Sequence, residues 1–176
     1  MHSVNSNSEP APSKKPLPLR LMPREIELLE FVLDQKFANL EALYLRFYQG
    51  EKSKSSRYAY QRLHLLQQHG FLTPQRVFTE GCYYYLASAL AHAVVQGQRP
   101  ERIVSAPTEQ IDFRTFEHDR RVMLARVHRE KKGEVANWLS ERRLKQEWTT
   151  KSGYQLAREY MPDAIFTNRA GGHVAF

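Results

Sequence analysis

Apolar positions along this chain recur first with a helical step. Ile26, Leu29 and Leu33 stand at i, i+3 and i+7 behind Pro23, a residue tolerated in a first helical turn, so the spacing predicts a helix beginning there. Asn39 is a favourable N-cap for a second helix over "LEALYLRFYQG", in which Leu40, Leu43 and Phe47 make the buried stripe and Gly50 closes the end. A third helix is expected from the serines at 53 to 56 up to Gly70. The pattern then changes. "RVF" and "CYYYLA" are β-rich around Thr79, Glu80 and Gly81, which predicts a short hairpin whose first strand is kept short by Pro74. Small residues over 88–98 predict a fourth helix.

The connector "GQRPERIVSAPTEQ" is rich in proline and polar residues, and a domain boundary is expected within it. Beyond it, residues 113–131 predict a long helix with Phe116, Met123 and Val127 on one face beside Phe113 and Leu124, ended by Gly133. "EVANWLSERRLKQEW" reads equally as a strand entering a helix or as helix throughout. "MPDAIFTNRAGGHVAF" places two apolar runs around a turn, which predicts a closing hairpin. The expected fold is α+β: a disordered tail over 1–18, a module over 19–106 and a helix-and-hairpin region over 107–176. Three helices followed by a hairpin is the order of a winged helix-turn-helix, whose third helix enters the DNA major groove.

Charge sharpens that expectation. The chain carries a net +7 with a pI near 9.6, a balance suited to a polyanionic partner. The charge is also uneven: between Glu51 and Glu80 there are five Lys or Arg and no carboxylate. At about 100° per residue, Ala59, Leu63 and Leu66 fall together on the third helix, and the opposite side collects Lys54, Arg57, Gln61, His64 and Gln68. Arg57 has the fork for guanine O6 and N7, and Gln61 has the amide for adenine N6 and N7. Ser53, Ser55 and Ser56 suit phosphate oxygens at the helix start, Lys52, Lys54 and Arg76 suit the backbone, and Tyr60 belongs to the same surface. A carboxylate there would face phosphates. Tyr83, Tyr84 and Tyr85 have the composition of a base-stacking platform, but alternation buries Tyr84 or its neighbours against the third helix, so core packing is expected.

The strings "YQRLHLLQQHGFL", "YYYLA", "EHDRRVMLARV" and "MPDAIF", in that order and spacing, resemble the replication-relaxation proteins of bacterial plasmids and other mobile elements. Such proteins pair a winged helix with a region like a PD-(D/E)XK nuclease fold. The resemblance implies a first metal-binding carboxylate at Asp163, within Pro162-Asp163, and an acid-x-Lys partner on the following strand. The chain ends at Phe176 without that partner, and a single carboxylate leaves Mg²⁺ mostly hydrated, so nuclease activity is not expected. Glu141 is a further candidate acid for the same site.

Other chemistry is sparse. His118 and His128 lie ten residues apart, which is not a two-ligand spacing, and His118 is expected to be packed or solvent-facing. "GEKS" at Gly50 lacks the full phosphate-loop pattern. A lone cysteine, Cys82, suits a reducing cytoplasm, and neither a leader-type apolar stretch nor a membrane-length run occurs. The sequence therefore predicts a cytoplasmic, non-enzymatic protein that binds double-stranded DNA without a cofactor, small-molecule ligand or membrane. It would act as a transcriptional regulator or an accessory factor of plasmid or mobile-element replication. A long amphipathic helix beside an incomplete sheet also suggests a homodimer. The alternatives are a nuclease-like enzyme delivered by the winged helix and a winged helix that contacts protein.

Overall fold

A computed structural model describes residues 19–50, 55–77, 81–151 and 161–176. The tail over 1–18 and the hairpin turn at Thr79 and Glu80 lie outside the described residues. Among the described residues the fold is mixed α+β, with six helices and two three-stranded antiparallel sheets.

Helix α1 (Pro23–Gln35) starts at the proline, and the backbone N–H of Met22 donates to Glu25 Oε2 at 2.9 Å. Strand β1 (Ala38–Asn39) leads into α2 (Leu40–Phe47), where Asn39 Oδ1 accepts from the Ala42 N–H at 2.9 Å, the capping bond its position predicts. Within α2, Leu43 and Phe47 are buried while Leu40 is only partly so. Helix α3 spans Ser56–Gln68, and Gly70, at φ +75, turns the chain into β2 (Leu72–Val77) and β3 (Cys82–Ala87). Pro74 does not shorten β2. The sheet order is β1-β3-β2, so β2 is an edge and a residue without an N–H costs no central hydrogen bond. Ser88 then caps α4 (Ala89–Gln98).

Helix α5 begins at Phe116, three residues later than its spacing predicts, and ends at Lys131 as expected. Asp112 and Arg114 close a local turn just before it, through hydrogen bonds from the Arg114 backbone and guanidinium to the carboxylate. Phe113 is thereby left 60% exposed instead of lying on the buried face. The ambiguous "EVANWLSERRLKQEW" resolves into β4 (Val135–Ser140) followed by α6 (Glu141–Lys151). Gly133, at φ +67, precedes β4 in the left-handed region that favours glycine. The closing hairpin forms as β5 (Ala164–Asn168) and β6 (His173–Ala175), in the order β4-β5-β6.

The main core is built around α1. Its Leu28, Leu29, Phe31, Val32 and Leu33 are all buried, so this helix is enclosed on more than one side rather than along a single stripe. Leu43 and Phe47 of α2, Ala59, Leu63 and Leu66 of α3, Tyr85 of β3 and Ala91 and Val95 of α4 pack in the same cluster. Met123 and Val127 of α5 complete it. The apolar face of α5 formed by Met123 and Val127 is therefore buried inside the chain. What stays exposed beside the second sheet is Val174 and Phe176.

Buried carboxylates of α1 tie the other elements to it. Asp34 faces Arg126 at 3.6 Å and Arg143 at 3.7 Å and accepts from the Ser105 hydroxyl at 3.1 Å. Burial pushes its carboxyl above the ordinary range, and the two arginines pull against that shift. Glu30 pairs with Arg99 at 2.6 Å. Glu130 of α5 joins Arg46 of α2 and Arg126, which together outweigh its burial and hold its carboxyl below the ordinary range. These groups line a polar cleft of about 620 Å³ between α1, α2, α5 and β4.

Candidate nucleic-acid interface

The outward side of α3 follows from its inward side. Ala59, Leu63 and Leu66 are fully buried, and the residues on the opposite side of the helical wheel, Arg57, Gln61, His64 and Gln68, are all exposed. Ser56 is exposed beside them. Ser55 is exposed too, but its hydroxyl oxygen accepts from the Tyr58 N–H at 3.4 Å as the helix cap, so its first duty is to the backbone. Lys52, Ser53 and Lys54 lie outside the described residues.

Three side chains on this surface are ordered by one another. The rings of Tyr60 and His64, one turn apart, are parallel within 4° with centroids 6.3 Å apart, and the Gln68 amide lies 3.1 Å from His64 Nε2. Tyr60, His64 and Gln68 thus form a continuous ladder along the helix. Arg62 behaves differently from its neighbours. It turns inward, and its Nε donates to Glu25 Oε1 at 2.7 Å across 37 positions of sequence. Glu25 is 1% exposed, which makes this a structural ion pair.

The hairpin extends the surface. Arg76 of β2 stands directly opposite Tyr83 of β3, so the two share a face of the sheet, and Tyr85 shares it two residues further on. Tyr85 is buried in the main core, and its hydroxyl is pushed above the ordinary range by burial and, after that, by the nearby Tyr60. That places the Arg76 and Tyr83 face alongside α3. The other face carries Val77, Tyr84 and Leu86 into a second cluster with Phe37, Ile111 and Phe116. Tyr84 meets Phe37 and Phe116 edge-on at 5.3 and 5.2 Å. Core packing therefore accounts for Tyr84 and Tyr85, with Tyr85 the one that faces α3. Tyr83, on the same sheet face as Tyr85, is nevertheless 54% exposed, which strand alternation alone could not reveal.

The acidic candidates lie elsewhere. Asp163 Oδ1 is 3.0 Å from His118 Nε2, and the Glu141 N–H donates to the Asp163 carbonyl at 2.8 Å, so β5 and the start of α6 do bring these positions together. His118 is half-exposed and partnered rather than packed. Asp119 is engaged by Lys36 at 2.7 Å and Thr115 at 2.8 Å, and Glu141 by Lys145. Among the described residues no group of three or more His, Cys, Asp or Glu is placed to hold a metal ion. Among them, too, no helix is long and apolar enough to cross a membrane.

No family model, curated protein or solved structure matches the chain.

Proposed function

We propose that this protein binds double-stranded DNA through a winged helix-turn-helix formed by α1 to α3 and the β2-β3 hairpin, with α3 lying in the major groove. The observation that carries the reading is the outward face of α3. Four hydrogen-bonding side chains, Arg57, Gln61, His64 and Gln68, stand exposed on it, and residues 52–79 contain no carboxylate to oppose phosphate. The one other arginine of the helix is withdrawn into an ion pair, so the exposed set is selective. Arg57 reads a base edge and Gln61 a neighbouring one. Ser55, Ser56, Tyr60 and Arg76, with Lys52, Ser53 and Lys54 before the helix, contact the backbone. The protein acts as a regulator or accessory factor in the cytoplasm without catalysis or a cofactor, and a plasmid or mobile-element setting follows from the family resemblance alone.

A second reading has one observation behind it, the side-chain contact of His118 with Asp163, whose backbone carbonyl accepts from the Glu141 N–H. It is that of a nuclease-like centre, and incubation with supercoiled plasmid and Mg²⁺ tests it: nicking lost in Asp163→Asn would establish it.

For the leading reading, Arg57→Ala should cost about 1–3 kcal/mol on a selected duplex and much less on random duplex, with the melting temperature unchanged. Arg76→Ala should weaken all duplexes alike and reduce the slope of log K against log salt by roughly one. If both variants bind the selected duplex as tightly as the parent, the surface contacts protein instead.

A further inference from the structure

Duplex recognition gives no role to the exposed ring of Tyr83. Its neighbours on the same sheet face, Tyr85, Ala87 and Leu72, are buried in the main core, yet Tyr83 leaves 54% of its surface in solvent. Tyr60 of α3, near Tyr85, leaves 53%. With His64, whose ring is parallel to that of Tyr60, they make an aromatic strip on the outer side of α3 and on the hairpin, with Arg57 exposed on the helix and Arg76 opposite Tyr83. A B-form duplex offers phosphates, sugars and base edges, but its base faces are already stacked on one another. The face of a tyrosine ring finds a stacking partner only where a base is unpaired.

We infer that this strip takes unpaired bases, so that the preferred ligand is duplex DNA adjoining a melted or mismatched stretch. The inference rests on the duplex-binding reading above and adds the kind of duplex. The helix holds the paired segment while Tyr83, at the margin of that contact, stacks on the first base freed from its partner, with Arg76 beside it for the phosphate. The tyrosine hydroxyl offers a competing explanation, since it can donate to a phosphate of an intact duplex. Substitution separates the two, because phenylalanine keeps the ring and leucine keeps only apolar bulk.

The test measures fluorescence anisotropy at fixed salt with three probes: a uniform duplex, the same duplex with a central run of mismatched thymines, and the thymine single strand. The parent should bind the mismatched duplex more tightly than the uniform one by between roughly fivefold and a hundred-and-fiftyfold, the range for stacking one base. Tyr83→Phe should keep that preference. Tyr83→Leu should abolish it, with affinity for the uniform duplex and the melting temperature unchanged. Equal binding of uniform and mismatched duplex by the parent, or a preference that survives in Tyr83→Leu, overturns the inference and leaves the duplex reading standing. So does a preference lost in Tyr83→Phe, which would assign the contact to the hydroxyl. Binding to neither duplex overturns both, and binding confined to the single strand would overturn the duplex reading with it.

Discussion

Arg57 and Arg62 sit five positions apart on one helix and do opposite work. Arg57 points to solvent, while Arg62 neutralises Glu25, a carboxylate 1% exposed beneath the α1 start. Removing Arg62 leaves that charge buried without its cation, and Arg62→Ala should destabilise the fold by on the order of 3 kcal/mol. Chemical denaturation reads this directly, and Arg57→Ala should show no comparable change. The outward position of Arg57 was legible from the helical step around Ala59, Leu63 and Leu66. The fate of Arg62 was not, because its partner lies 37 residues earlier and only the crossing of α1 and α3 brings the two together.

At the scale of elements, α1 is the hub and α5 is fastened to the first module rather than set apart from it. Met123 and Val127 complete the core made by α1 and α2, and Arg142 of α6 donates to the Leu33 carbonyl at 2.7 Å, the Thr108 hydroxyl at 3.0 Å and the Ala106 carbonyl at 2.5 Å. A fragment of residues 19–106 should therefore melt well below the full chain, since each of those two apolar side chains contributes about 1.5–3 kcal/mol by burial. An unchanged melting temperature in the fragment would show that the modules are independent. Glu130 gives this docking a pH signature. Its folded pKa lies below the ordinary 4.5, so its contribution is complete above that value and is lost as pH falls through the folded one. Asp34, shifted upward, has the opposite sign and costs less as it protonates. Glu130→Gln should thus be less stable than the parent at neutral pH and lose less stability on acidification below about 4.5. Thermal melts across pH check both.

Across the whole molecule, charge is sorted. Residues 52–79 hold cations alone, whereas α1 gathers Glu25, Glu27, Glu30 and Asp34, which meet arginines from α3, α5, α6 and the segment after α4. Residues 52–79, with five Lys or Arg and no carboxylate, therefore carry +5 of the net +7. Duplex affinity should fall linearly in log K against log salt, with a slope of roughly −0.9 for each phosphate neutralised. Melting temperature over the same salt series should move little, because the Glu25 and Asp34 pairs are withdrawn from the ionic atmosphere. A melting temperature that falls in step with affinity would mean that the interior pairs are screened as well.

Local chemistry by itself determined the starts of α1 and α2, the inward and outward sides of α3, the hairpins and the end of α5. Each depends on residues a few positions apart, such as Pro23, Asn39, the Ala59, Leu63 and Leu66 stripe and Gly133. The tertiary structure decided what depends on distant parts of the chain. It enclosed α1 on more than one side, chose strand followed by helix for 135–151, and placed Tyr85 in the core while leaving Tyr83 outside. Periodicity states which side of an element is apolar. Only packing sets how far along the element the neighbour that covers that side extends, and that extent separates a buried tyrosine from an exposed one.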